Sequence, residues 1–485
     1  MVVQSKFFFI LWFIFLLALG YLLGLQLGNI SILISVLPPA ASFYYFLTSI
    51  LLVLLIIESL FKKNISWKKP AVIVYITVAI WYLTEPIYTP DNLTIFSNAI
   101  LEKCYWQIIL FLGSFRFFVP QLSQKMVIKP SLAYQLLITS IDPAKLLTYL
   151  SLVWLGLLMY GISRMNGDIF GALFPINSRA GGYMWGRAAG AAAGSSGFIV
   201  SSASYIYILV CSFFGITLLM QKQLKVRLLN LLVILISWPY FILMGARNIF
   251  LAVVMPSILS YVLLSKQKWW IKIIVLGIAF AIINHILTLV ITYRHVGFAE
   301  IFNQSGIEIA LKAEQKHLGL NMLEELCFIN DFYQQGRLHI SYGGDYLAQF
   351  LNFVPRAIWP NKPLVGIYYA ILRGFADNSR DIGVSTTVST GLIGQGVTNF
   401  GPYLGPVAAA FLMALWAAFL ARLWSQRNSP LRLCLFLAGL GITFNLGREM
   451  TLLVLWPIVF GYALVRFLEH INKKKLRSSE LNKYS

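Results

Sequence analysis

Twelve stretches of this chain are apolar for long enough to cross a bilayer, and no other feature constrains its fold as strongly. A helix needs about 20 mostly apolar residues to span the hydrocarbon layer. Such runs occur at 7–27, 41–61, 70–88, 105–122, 145–163, 196–220, 228–245, 249–265, 270–292, 402–424, 431–447 and 450–468. They predict an all-α polytopic membrane bundle of about 12 transmembrane helices. Composition agrees: 59% of the 485 residues are apolar and 12% are charged, the latter about half the share in an ordinary soluble domain. A cytosolic enzyme, a disordered chain and a secreted disulfide scaffold are excluded. The first run lacks a small-x-small cleavage site and reads as an uncleaved first span.

The net charge of +20 invites a nucleic-acid reading, but its distribution points elsewhere. Lys62, Lys63, Lys68 and Lys69 sit between two apolar runs; Lys222, Lys225 and Arg227, then Lys266, Lys268 and Lys272, then Lys473, Lys474, Lys475 and Arg477 do the same. Basic residues concentrate in cytoplasmic loops. With the N-terminus inside, 23 of the 38 Lys and Arg residues fall on the cytoplasmic side. The outer segments then hold acids and bases in equal number. The charge is a topology signal and an attraction to anionic membrane lipid, with both termini cytoplasmic and no nucleic-acid partner.

This topology divides the chain into a nine-helix region at 1–292 with an outer loop at 164–195, a large outer loop at 293–401, and a three-helix region with a basic tail at 402–485. Loops longer than about 15 residues are usually functional or disordered. The 293–401 loop is rich in aromatics and spaced prolines, so short helices are expected within it. Apolar residues at Ile307, Leu311, Leu318, Met322 and Leu326 predict an amphipathic helix lying on the membrane or capping the bundle. Cys104 and Cys327 fall outside the apolar runs and allow a disulfide. No CxxC or Cys/His cluster supports a metal site.

Arginine on the outer side is the anomaly. Arg179, Arg187, Arg247 and Arg448 occupy turn positions in short outer loops, Arg294 follows the ninth span, and Arg356 lies in the long loop. Arg247 belongs to the break Gly245-Ala246-Arg247-Asn248, and Arg448 to the break Gly447-Arg448-Glu449. A guanidinium binds phosphate in a bidentate fashion, and a helix N-terminus adds amide donors. The bland alternative is arginines that snorkel to anchor helix ends; several of them against the topology rule favour a site.

A second signal is YGGDYLAQFLNFVPRAIWPNKP, from Tyr342 to Pro363. Its prolines stiffen the chain around Arg356 and Lys362, and Trp359 offers a face for sugar stacking, or simply an interfacial anchor. The stretch GVSTTVSTGLIGQG, Gly383 to Gly396, suits a re-entrant or half-helical segment lining a polar cavity. It lacks the lysine of a P-loop. Among outer acids and bases, His339 and Asp345 are the preferred catalytic candidates, because they flank the glycine pair and precede Arg356. His285 reads as a buried hydrogen-bonding residue.

Taken in order, an outer Gly-Ala-Arg-Asn break, a long outer loop with Pro355-Arg356-x-x-Trp359-Pro360-x-Lys362-Pro363, the Ser/Thr/Gly stretch and a final Gly-Arg-Glu break resemble the Wzy-type O-antigen (oligosaccharide repeat-unit) polymerases of bacteria. The likeness extends to the enterobacterial common antigen polymerase and covers about 240 to 468. It implies a GT-C-like membrane glycosyltransferase of the inner membrane, acting at the periplasmic face on undecaprenyl-pyrophosphate-linked glycan donor and acceptor. No cofactor or metal is implied; a chain-length-regulating polysaccharide co-polymerase is the implied partner. On this reading Arg247, Arg356 and Arg448 hold the pyrophosphates, Arg294 and Lys362 add charge, Glu449 orients Arg448, Trp359 meets sugar, and His339 or Asp345 is the base. The same donor chemistry serves an O-antigen ligase, and a lipid-linked oligosaccharide transporter or flippase is the alternative from another class.

Overall fold

The computed structural model describes residues 39–61, 66–88, 90–127, 142–176, 184–185, 195–293, 297–299, 321–351, 354, 358–359, 367–374, 388–448 and 452–481. Every regular element among them is helical. The principal ones are α1 (Pro39–Phe61), α2 (Lys68–Val78), α3 (Asn98–Met126), α4 (Pro143–Arg164), α5 (Ser195–Met220), α6 (Leu224–Ser237), α7 (Arg247–Leu264), α8 (Trp269–Tyr293), α9 (Met322–Gln334), α10 (Gly344–Phe350), α11 (Ile367–Leu372), α12 (Leu392–Ser425), α13 (Pro430–Arg448) and α14 (Leu452–Leu481).

Nine segments among the described residues are long and apolar enough to cross a membrane, so the chain is a multi-pass helical membrane protein. They coincide with nine of the twelve expected spans. The run 7–27 lies outside the described residues. The run 105–122 falls within α3, a continuous helix that carries Arg116 among its apolar residues. The run 450–468 falls within α14, whose apolar part is Leu455–Phe467.

The packing centres on α13, where every residue from Leu431 to Thr443 is buried. It contacts α2, α5, α7, α12 and α14. A helix buried on all sides needs no polar face, which is why its sequence is apolar around the whole circumference. Residues of 322–338 and Tyr369 join the same core as the spanning helices. Met322 and Leu326 are thus buried in α9, which caps the bundle; residues 307–320 lie outside the described residues.

Helix ends sort into two sets. Lys68 Nζ donates to the Glu58 carbonyl at 3.0 Å, closing the end of α1. Lys272 Nζ donates to the carbonyls of Val262 and Ser265 at 2.9 and 2.7 Å, closing α7. A cation at a helix C-terminus satisfies orphan carbonyls and complements the helix dipole. The Arg432 side chain, with no solvent exposure, donates twice to Glu469 of α14, both at 2.7 Å. These contacts form a lysine end. The Arg247 and Arg448 breaks lie at the other ends of α7 and α13, about 27 Å away for an 18-residue helix.

Arg116 is paired within the bundle: it donates to both Glu58 oxygens, at 2.8 and 2.5 Å. His285, expected to be buried, instead lies on the exposed face of α8; the helix presents that side outward, where only membrane or solvent meets it. All four cysteines, including Cys104 and Cys327, are buried free thiols.

Candidate functional site

The arginine end is organised by a π turn. Between α2 and a short helix at Glu85–Tyr88 the chain forms one π-helical stretch, Ala79–Leu83. Such insertions rotate the residues that follow and recur at functional sites. Here they aim three side chains at three other segments. Trp81 Nε1 donates to the Phe444 carbonyl at 2.8 Å, near the end of α13. The Tyr82 hydroxyl accepts from the Ile393 amide at 2.9 Å, at the start of α12. Glu85 Oε2 accepts from the Glu324 amide at 3.0 Å, at the start of α9.

At the first contact the two arginine breaks meet. Asn445 Nδ2 donates to the Asn248 carbonyl at 2.9 Å, so the Gly-Ala-Arg-Asn break abuts the Gly-Arg-Glu break. Arg247 opens α7 after Ala246, an extended residue that provides no side-chain cap. Arg247 and Arg448 are both half-buried. A Cβ on Gly447 would overlap the Thr77 methyl and lie 2.8 Å from Trp81 Cδ1, so glycine is required for this close approach.

At the third contact lies a buried ion cluster. Arg373 donates to Glu325 through Nε and a terminal nitrogen, at 3.1 and 3.2 Å, and lies 3.6 Å from Glu324. Its guanidinium stacks 3.5 Å above the Phe328 ring. The Tyr369 hydroxyl donates a short bond to the same carboxylate. Burial pushes the Glu325 carboxyl up from 4.5, and the Arg373 and Tyr369 contacts oppose that shift. No motif in the sequence selects Glu324 or Glu325 from the other acids, and none singles out Arg373. Glu85 did carry a signal, an acid beside Pro86 at the end of an apolar run.

At the second contact the Ser/Thr/Gly stretch becomes structure. Residues 392–400 form a buried half-helix that turns into the long part of α12 at Gly401, whose φ of 80° and ψ of 176° are non-helical. Gly396 and Gly405 meet backbone to backbone across that turn. Residues 383–387 lie outside the described residues. Asn399, fully buried, ties the half-helix to the segment before and within α10: its Oδ1 accepts from the Ser341 hydroxyl at 3.1 Å and the Tyr346 amide at 3.2 Å.

The expected site residues divide accordingly. Arg247 and Arg448 are brought together. Asp345 accepts from the Ser341 hydroxyl at 3.1 Å, and burial raises its pKa from 3.8 while that hydroxyl lowers it. His339 is exposed nearby, and Trp359 is half-buried. From Ile393, which meets Tyr82, to Asn399, which meets this group, the half-helix rises about 9 Å. Arg294, Arg356, Lys362 and Glu449 lie outside the described residues. Among the described residues no group of three or more His, Cys, Asp or Glu side chains could hold a metal ion. Compared with family models, curated proteins and solved structures, the chain matches none.

Proposed function

We propose that the protein is a GT-C-like membrane glycosyltransferase of twelve spans that polymerises undecaprenyl-pyrophosphate-linked oligosaccharide repeat units. It would act at the periplasmic face of the bacterial inner membrane, with both termini cytoplasmic and a chain-length-regulating co-polymerase as partner. The reading is carried by one observation: the Asn445–Asn248 bond joins two breaks far apart in sequence, so Arg247 and Arg448 share one end of the bundle.

The chemistry follows from the leaving group. An acceptor hydroxyl attacks the anomeric carbon of the donor glycan and forms a new carbon–oxygen bond. The bond to the lipid pyrophosphate breaks, and the electron pair departs with it. Arg247, Arg448 and Arg356, at the membrane rim, stabilise the developing charge by preorganised donors. Arg294 and Lys362 add to the field, Glu449 orients Arg448, and Trp359 stacks on sugar. The acceptor proton passes to Asp345 or His339.

Arg448→Ala and Arg247→Ala are expected to leave the protein in the membrane and cut turnover by about 10²–10³, the cost of losing one oxyanion donor. The readout is glycan chain length on cells lacking the native copy. Long chains of normal distribution from both variants overturn the reading. A null strain with bare lipid core and polymer stranded on its carrier identifies a ligase instead. Purified protein that elongates lipid-linked repeats in detergent, with no membrane to cross, excludes transport as the main role.

A further inference from the structure

The lysine end contains a site where, among the described residues, cations gather without a counter-ion. α2 starts on Lys68 and Lys69, has no acid in its first turn, and its N-cap residue Trp67 makes no side-chain cap. A helix N-terminus already carries about half a positive charge, so lysine there is opposite to the usual preference. Lys69 is only 7% exposed, and its Nζ lies 4.2 Å from the centre of the Trp424 ring. The Arg427 guanidinium lies 4.7 Å from the same ring. Arg422 Nε is buried with no hydrogen-bond partner among the described residues.

The described carboxylates of this end are engaged elsewhere. Glu58 is held by Arg116, Glu469 by Arg432, and Asp142 caps α4 by accepting from the Ala144 amide at 3.2 Å. Buried charge is retained when it is paired. Two cations on one indole, beside the positive end of a helix, therefore define a place where an anion from outside the chain is stabilised by every neighbour.

We infer that Lys69, Arg427 and Trp424 bind the phosphate of an anionic membrane lipid headgroup. Arg427 is exposed, where a headgroup at the membrane surface reaches it, while the indole and the lysine stem offer apolar surface to the glycerol backbone. A zwitterionic lipid brings an ammonium group that the same cations repel. Basic pockets between spanning helices are suited to such headgroups. The inference depends on the chain spanning a membrane and is independent of any glycosyl transfer.

The test is native mass spectrometry of the full chain, purified and equilibrated with equal amounts of phosphatidylglycerol and phosphatidylcholine, with millimolar inorganic phosphate as a third arm. The wild type is expected to retain phosphatidylglycerol preferentially. Lys69→Gln and Arg427→Gln should each reduce that preference about five-fold, the worth of one cation near a membrane surface. Arg427 is exposed, so its variant folds even if Lys69→Gln does not. Equal retention of the two lipids, or an undiminished preference in Arg427→Gln, overturns the proposal. Inorganic phosphate that displaces phosphatidylglycerol and takes its place overturns the lipid as the source.

Discussion

Gly447→Ala offers a direct test of how the two breaks are held together. The added methyl would overlap the Thr77 methyl and come within 2.8 Å of Trp81 Cδ1. Thr77 lies in α2 and is β-branched, which restricts its χ1 to two rotamers and limits how far its methyl can withdraw. Overpacking of this kind costs about 1–3 kcal/mol. Against it stands the gain in helix propensity from glycine to alanine, about 1 kcal/mol. The direct overlap with the Thr77 methyl puts the clash at the upper end of that range, so a net loss of about 2 kcal/mol is expected. The Thr77 hydroxyl is buried without a hydrogen-bond partner among the described residues, so Thr77→Ala removes a poorly satisfied group and clears the space. The double variant should recover about 1 kcal/mol relative to the sum of the singles. Stability is read by denaturant titration of purified protein, and function by glycan chain length on cells. Equal stability of Gly447→Ala and wild type would refute the packing argument. A destabilised Gly447→Ala that still makes polymer of normal length would refute the link between this contact and the placement of Arg448.

Two further outcomes are expected. Glu469→Gln leaves the fully buried Arg432 without its anion and should cost about 3–5 kcal/mol, whereas replacing both partners with apolar residues of similar volume should cost far less; thermal unfolding of the three proteins decides. The folded state holds a proton on Glu325 more tightly than the unfolded state, because burial raises its pKa above 4.5. Stability is therefore expected to fall as pH rises from that ordinary value through the raised one, and Glu325→Gln should flatten the slope in a pH series of denaturant titrations.

Much of the arginine end was hidden from sequence reading for a definite reason. His339 and Asp345 stood out because they precede Arg356 in the chain, yet Asp345 and Ser341 are tied to Asn399, more than fifty positions later. Arg373 looked like an ordinary loop cation and proves to be the counter-ion of a buried carboxylate. Glu85 accepts from the backbone at the start of α9, more than two hundred positions later. None of these partnerships leaves a periodic trace along the chain.

What the sequence alone determined is local and additive. Each spanning helix follows from its own run of apolar residues, because hydrocarbon burial acts residue by residue. The gathering of Lys68 and Lys272 at one set of helix ends follows from charge clusters flanking those runs. The tertiary structure decided which ends touch. The meeting of Asn248 with Asn445, the π turn that aims Trp81, Tyr82 and Glu85 at three segments, and the unbalanced cations around Trp424 arise from side-chain packing between helices. Such packing depends on shape and volume at the point of contact, and many apolar sequences present the same pattern while only one set of contacts closes the bundle.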